Sequence, residues 1–518
     1  MHSRIIALII ITTIACAAAP LRAQNWPAFR GPLATGEAPK SHPPTEWSEE
    51  KNIKWKVAIP GRGHATPIIW GDRIYIQTAV ETQKDAPDAA AEEREDDAPP
   101  PQPMDGERSE RRSGNRPPRD NNSGGEAPSP ILHPLDKGRV GSPVTRRGEV
   151  GSHQPADQPP PEGERRRGGG QRGPGGGRGP RPAPTKLFDF KVLALDRATG
   201  KTLWDTTVCE VRPHEAGHND ASQVSNSPVT DGKHLYAFFG SRGLYCLSLD
   251  GKIKWKADLG KMTTRNGFGE GSSPALHGDT LIVNWDHEGD DFIVAFDKKT
   301  GKEKWRVARD EHTNWSTPLV VDAGDKSQVV VSATGAIRAY DLDTGKEIWS
   351  CKGMTESVVP CPMVQDDLLF AISGFRGAAC LAIKYREAKG DITDTDAIAW
   401  KYDKNTPYVP SATILNGRLY FLENTKPMVT CLDAKSGKPV FTKQRLAGLD
   451  SIYASLLGAG GHIYIVARNG TTVVLKDGDA LEIAATNKLD DGFDASPAAV
   501  GDELYLRGRE HLYCIAKK

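Results

Sequence analysis

A chain of 518 residues with 67 Lys and Arg against 67 Asp and Glu carries no net charge, so nothing electrostatic points to a nucleic-acid or anionic-membrane partner. Length alone suggests about two to four domains, but text that repeats along the chain argues for one closed unit. Gly (53) and Pro (38) are abundant, and much of that excess falls in one segment.

Met1–Ala23 has the form of an export signal, with Arg4, an apolar run from Ile5 to Ile14, and small residues before Gln24. The run is too short to span a bilayer. Processing after Ala23 would leave 24–518 as an exported monomer of the periplasm or cell envelope with no transmembrane segment. Cys16 sits in a weak lipoprotein-like context, which makes a lipid-anchored form the less favoured alternative. Asn25–Pro32 reads NWPAFRGP, and Asn52–Pro60 reads as a strand, NIKWKVAIP.

The first Ser/Thr-Pro step, Thr66-Pro67, leads to IYIQTAV (Ile74–Val80), a second strand. Between residues 81 and 186 the repeat stops: an acidic stretch is followed by Pro, Arg and Gly, ending in ERRRGGGQRGPGGGRGPRP (Glu164–Pro182). So few aliphatics cannot offset the entropy of ordering, so 81–186 reads as a disordered insertion. Because FKVLALD (Phe190–Asp196) reads as a third strand, the insertion lies within the first blade. In an exported protein it is a basic arm with no nucleic-acid role.

From there the phrase recurs. Its second half is clearest at Ala194–Trp204 (ALDRATGKTLW), Ala295–Trp305 (AFDKKTGKEKW) and Ala339–Trp349 (AYDLDTGKEIW), with a degenerate copy at Cys431–Phe441. First-strand starts fall near Thr66, Ser227, Ser273, Thr317, Cys361, Ser411, Ser455 and Ser496. A period of about 40–50 residues with strand-rich text predicts an all-β, single eight-bladed β-propeller of four-stranded antiparallel blades. The last copy stops before its Trp turn. NIKWKVAIP matches the closing strand of blade two, GKIKWKADL (Gly251–Leu259), so the N-terminal strand is expected to complete the final blade and remove the open edge.

In Asp-x-x-Thr-Gly-Lys, Asp and Thr bond nearby backbone N–H groups and Gly supplies the turn conformation. The Trp beyond it suits a junction between blades, giving Trp55, Trp204, Trp255, Trp305, Trp349 and Trp400 a structural role. Without Cys16 seven cysteines remain, an odd count that argues against a disulfide framework. Cys246, Cys380 and Cys514 replace buried aliphatics, while a Cys351–Cys361 bridge stays open.

The turn-and-Trp pattern resembles the pyrroloquinoline-quinone-type repeat of quinoprotein dehydrogenases and of BamB-like assembly lipoproteins, over all but the insertion. NWPAFRGP followed by a propeller is similar to exported planctomycete-type proteins with these repeats. The resemblance implies a fold shared by enzymes and non-enzymes. It also implies that the loops entering the innermost strands and those joining strands two and three share the ligand face. On that face we expect His64, Arg242, Arg265, Glu270, Asp286, His287, Trp315, Phe375, Arg376, Tyr408, Tyr453 and Arg468, with His214, His218, Asn219, Asp220, Phe268 and Trp285 beside them. Arg, aromatic and acidic groups around a funnel suit a planar anion or an extended peptide.

PHEAGHND (Pro213–Asp220) spaces two His four apart, but Gly217 makes it a loop, better read as a solvated one than as a metal site. WDHEGDD (Trp285–Asp291) lacks the alternation and distal Glu of a calcium loop. The chain has no adjacent cysteines, such as quinoprotein dehydrogenases typically place over their cofactor, and no catalytic or calcium-binding set is matched. The sequence therefore reads as a non-catalytic envelope scaffold without cofactor, whose partners are protein or peptide segments. The alternative is a dehydrogenase using pyrroloquinoline quinone and calcium on an alcohol or sugar.

Overall fold

Two residues after each of the eight Ser/Thr/Cys steps an inner strand begins, and three further strands pack outward from it. The structure, a computed structural model, describes residues 25–87 and 181–517, all in one compact unit. The signal-peptide reading, and most of the insertion, lie outside these residues. The described chain forms eight sheets, each built on the four antiparallel strands of one propeller blade, two of them with a short parallel fifth strand, and its helical content is two single 3-10 turns.

Blade one comprises Ile68–Trp70, Arg73–Asp85, Lys186–Asp196 and Thr202–Val211. Its two middle strands run into the segment expected to be disordered: Glu81 pairs with Phe188 and Asp85 with Lys186. The ordered stem thus extends beyond the last apolar residues, because backbone pairing continues where burial has ended. Blade eight consists of Ala498–Val500, Glu503–Arg507 and His511–Ile515, closed by Ile53–Ala58. Trp55 lies opposite Cys514 and Val57 opposite Leu512.

The repeat's first half has a physical reason. From Thr66 to Ser455 the N–H of a step residue donates to the side chain of the next blade's step: Thr66 to Ser227 (2.9 Å), Ser227 to Ser273 (2.9 Å), Ser273 to Thr317 (3.1 Å). The chain continues through the Cys361 thiol (3.4 Å), Ser411 (3.1 Å), Ser455 (3.0 Å) and Ser496 (2.9 Å). A belt of side-chain acceptors thus satisfies inner backbone donors that no ladder reaches.

The second half joins neighbours at the rim. Asp297 Oδ1 accepts from the backbone N–H (2.8 Å) and hydroxyl (2.7 Å) of Thr300, and Asp196, Asp341 and Asp433 repeat this geometry. Each indole crosses to the next blade's turn. Trp55 donates to Arg197 O (3.0 Å), Trp204 to Leu249 O (2.9 Å), Trp255 to Lys298 O (3.1 Å), Trp305 to Leu342 O (2.8 Å) and Trp400 to Ala434 O (3.1 Å). Trp349 departs from this pattern: it is fully buried and donates to Gln328 Oε1 (2.9 Å) within its own blade. Blade five has no Asp-x-x-Thr-Gly turn to receive it. A longer connection lies there instead, and its Gly390–Asp391 pairs in parallel with Trp349–Ser350.

A second short strand, Glu37–Ala38, pairs in parallel with Gly458–Ala459 on blade seven. All seven described cysteines are free, Cys351 and Cys361 among them, and Cys246, Cys380 and Cys514 are buried.

Candidate functional site: a cup closed by the N-terminal segment

The segment after residue 24 crosses the ring. Trp26 pairs with Ile69 of blade one, and Pro27 O accepts from Thr230 N–H of blade two (3.0 Å). Arg30 Nη2 reaches Ala412 O at blade six (2.6 Å), and Gly36 O accepts from Gly458 N–H of blade seven (2.9 Å). NWPAFRGP is therefore a strap anchored on opposite blades. Burial lowers the pKa of the Arg30 guanidinium to about 10, with the Cys361 thiol acting the other way.

Phe29 of the strap forms part of the floor of a cavity of about 450 Å³ at one end of the ring axis, inside the belt residues Ser411, Ser455 and Ser496. Phe268, Trp315, Phe375, Tyr408 and Tyr453 supply its aromatic wall. The Phe375 and Tyr408 rings lie 4.7 Å apart. Trp315 spends its N–H on Gly269 O (2.7 Å), so its ring is left as an apolar surface.

The charged groups around this cup are largely matched. Arg468 bridges Asp220 (2.8 Å) and Asp494 (2.5 Å) and lies 4.4 Å over the Tyr453 ring. Tyr453 donates to Asp220 (3.1 Å). Burial and then the Asp220 charge push its phenol up to about 12. Burial works against ionisation of Asp220, but the hydrogen bond and charge of Arg468 prevail and hold it below the usual range. Glu270 accepts from Ser241 N–H (2.7 Å) and pairs with Arg242 (3.2 Å). His64, 3.6 Å from Asp494, has its pKa lowered to about 4. Burial is the main cause; Asp494 opposes it, and Arg507, Arg62 and Arg509 add to it.

Of the expected ligand-face residues, His64, Glu270, Trp315, Phe375, Tyr408 and Tyr453 line the cup, as do His218, Asp220 and Phe268. Arg242 and Arg468 stand behind that wall in ion pairs. Arg265 pairs with Glu356 (3.0 Å), and Arg376 approaches the same carboxylate (3.7 Å). Asp286 and His287 are drawn into blade three. Asp286 takes both Arg309 Nε (2.6 Å) and Nη2 (2.9 Å), and Asn284 and Asn314 also donate to it. His287 accepts from Thr263 N–H (3.1 Å), and Trp285 stacks on Phe292 at 5.7 Å. His214 contacts Met262 O (2.7 Å), while His218 meets Phe268 edge-on. Among the described residues no three His, Cys, Asp or Glu side chains gather as metal ligands.

Sequence reasoning missed Phe29 and Asp494. NWPAFRGP stood out as a motif, but nothing local says that it crosses the ring. Asp494 sits two residues before the Ser496 step, and that position was a usable signal.

The family model of the outer membrane protein assembly factor BamB matches residues 189–443. The chain carries the repeat and the fold of the PQQ-type repeat propellers. Among PQQ-type relatives, the outer membrane protein assembly factor BamB of Yersinia pestis is 20% identical over 336 residues, 61% of this chain and 77% of that one. The europium-containing methanol dehydrogenase shares the fold at a TM-score of 0.53 and 10% identity, covering 95% of this chain and 98% of that one. The BamB structure from Moraxella catarrhalis aligns at 0.45 and 15% identity over 65% of this chain and 90% of that one. No helix among the described residues is long and apolar enough to cross a membrane.

Proposed function

We propose that this PQQ-type propeller is an exported, non-catalytic scaffold of the cell envelope whose cup receives an extended peptide segment of a partner protein. The observation that carries this reading is the cup itself: an aromatic wall closed below by Phe29 and open above. Its carboxylates are already matched by arginines, so the free surface offered to a ligand is mainly aromatic. Stacking and desolvation of apolar side chains would supply the affinity, and rim pairs would contribute mostly to orientation.

The quinone alternative finds less support in these residues. A quinone bearing carboxylates needs uncommitted cations, whereas Arg242, Arg265 and Arg468 are engaged with Glu270, Glu356 and Asp220/Asp494. Nothing in the cup matches a calcium-ligand set, and the chain lacks adjacent cysteines.

A displayed peptide library panned on the mature protein tests the proposal. Trp315→Ala and Tyr408→Ala should each weaken the recovered peptides about tenfold, ~1.4 kcal/mol, with an unchanged β-sheet circular dichroism spectrum. Peptides that bind both variants as tightly as the parent would rule out the cup as the binding site. Pyrroloquinoline quinone with calcium, added to the same protein, should produce neither bound-cofactor absorbance nor dye reduction with alcohols; either signal would favour the dehydrogenase.

A further inference from the structure

Arg507 ends the second strand of blade eight and is 2% exposed. Its Nη1 donates to Gln77 O (2.7 Å) and Ala65 O (3.3 Å), across the junction with blade one. Among the described residues no carboxylate pairs with it, and burial lowers its pKa to about 9. Two carbonyls replace part of the lost hydration but none of the charge. A buried guanidinium without a counter-charge is destabilising.

A small cavity adjoins this guanidinium. Arg62, His64, Arg507 and Arg509 line it, with Asp494 as its one carboxylate. Asp494 is already bound by Arg468 (2.5 Å) and Arg509 (3.0 Å). The local sum is therefore positive. The walls next to the charge are glycines: a Cβ on Gly63 would sit 2.5 Å from Arg507 Nη2, so the glycine keeps space in front of the guanidinium. The volume, about 10 Å³, suits a single particle near the size of water. Water there would leave the charge unbalanced, whereas a small anion offsets it.

We propose that the cavity between blades eight and one is a binding site for a small monovalent anion of the halide class, held by Arg507 with Arg62 and Arg509. Its place beside His64, which also lines the cup, couples the anion to the binding surface through one side chain.

Bromide is the probe. At constant ionic strength, replacing gluconate by bromide should raise the Tm of the protein along a saturable curve, and Arg507→Gln should lose that saturable component. Crystals soaked in bromide should show an anomalous peak next to the Arg507 side chain, a measurement independent of whether the variant folds. Equal Tm in gluconate and bromide, or no anomalous density beside Arg507, would overturn the site. Stabilisation by formate with no response to bromide would overturn the halide assignment.

Discussion

Gly345 has two tasks at once. Its φ of 73° is close to those of the other repeat-turn glycines, Gly200 (73°), Gly301 (71°) and Gly437 (68°), and a Cβ on it would lie 2.7 Å from the Trp305 ring. Gly417 also has a positive φ (77°), yet nothing lies within 4 Å of its absent Cβ. Gly417→Ala should therefore cost only the left-handed backbone penalty, about 1–2 kcal/mol. Gly345→Ala adds overpacking of roughly 1–3 kcal/mol against the indole. Urea midpoints of the two variants measure the difference, and equal losses would show that the indole yields freely. The repeat placed each Trp at a junction between blades. It did not reveal that the indole covers the turn glycine of the next copy, because contact across a junction leaves no trace in local spacing. The ion pairs that withdraw Arg242 and Arg468 from solvent were illegible for the same reason: Glu270 and Asp494 are distant in sequence.

At the level of elements, the eight inner strands and the closing strand were readable because step residues and strand text recur with a fixed period. Glu37–Ala38 and Gly390–Asp391 were not, since two-residue parallel pairings carry no pattern of their own. The second of these explains Trp349. Covered by the connection that includes Gly390, the indole cannot reach a rim turn and depends on Gln328 Oε1 (2.9 Å). Gln328→Met keeps the side-chain volume but leaves a buried N–H without an acceptor, a loss of about 1–3 kcal/mol. Trp349→Phe in the same background removes the orphaned donor, so the double variant should be less destabilised than the sum of the single ones. Thermal unfolding of the four proteins gives the coupling, and strict additivity would mean that the hydrogen bond contributes nothing.

The whole ring depends on residues far apart in sequence. Ile53–Ala58 supplies the outer strand of blade eight, Trp55 covers Gly200 of blade one, and the strap from Trp26 to Gly36 spans opposite blades. Blade closure was legible because NIKWKVAIP copies another blade's outer strand; the strap was illegible because its partners are backbone carbonyls and amides, which any sequence provides. A chain beginning at residue 60 lacks all three features while retaining seven complete blades. It exposes the edge of His511–Ile515, whose unpaired backbone groups are a template for another chain, and it also loses the floor of the cup. We expect this truncation to associate with rising concentration and to unfold at a lower temperature over a broader range, because blades one and eight no longer melt as a joined pair. Light scattering and calorimetry on the same samples check both effects. A monomer with the parent's melting profile would mean that the contacts between blades hold the ring without its closing strand, and that the strand serves only to seal the edge.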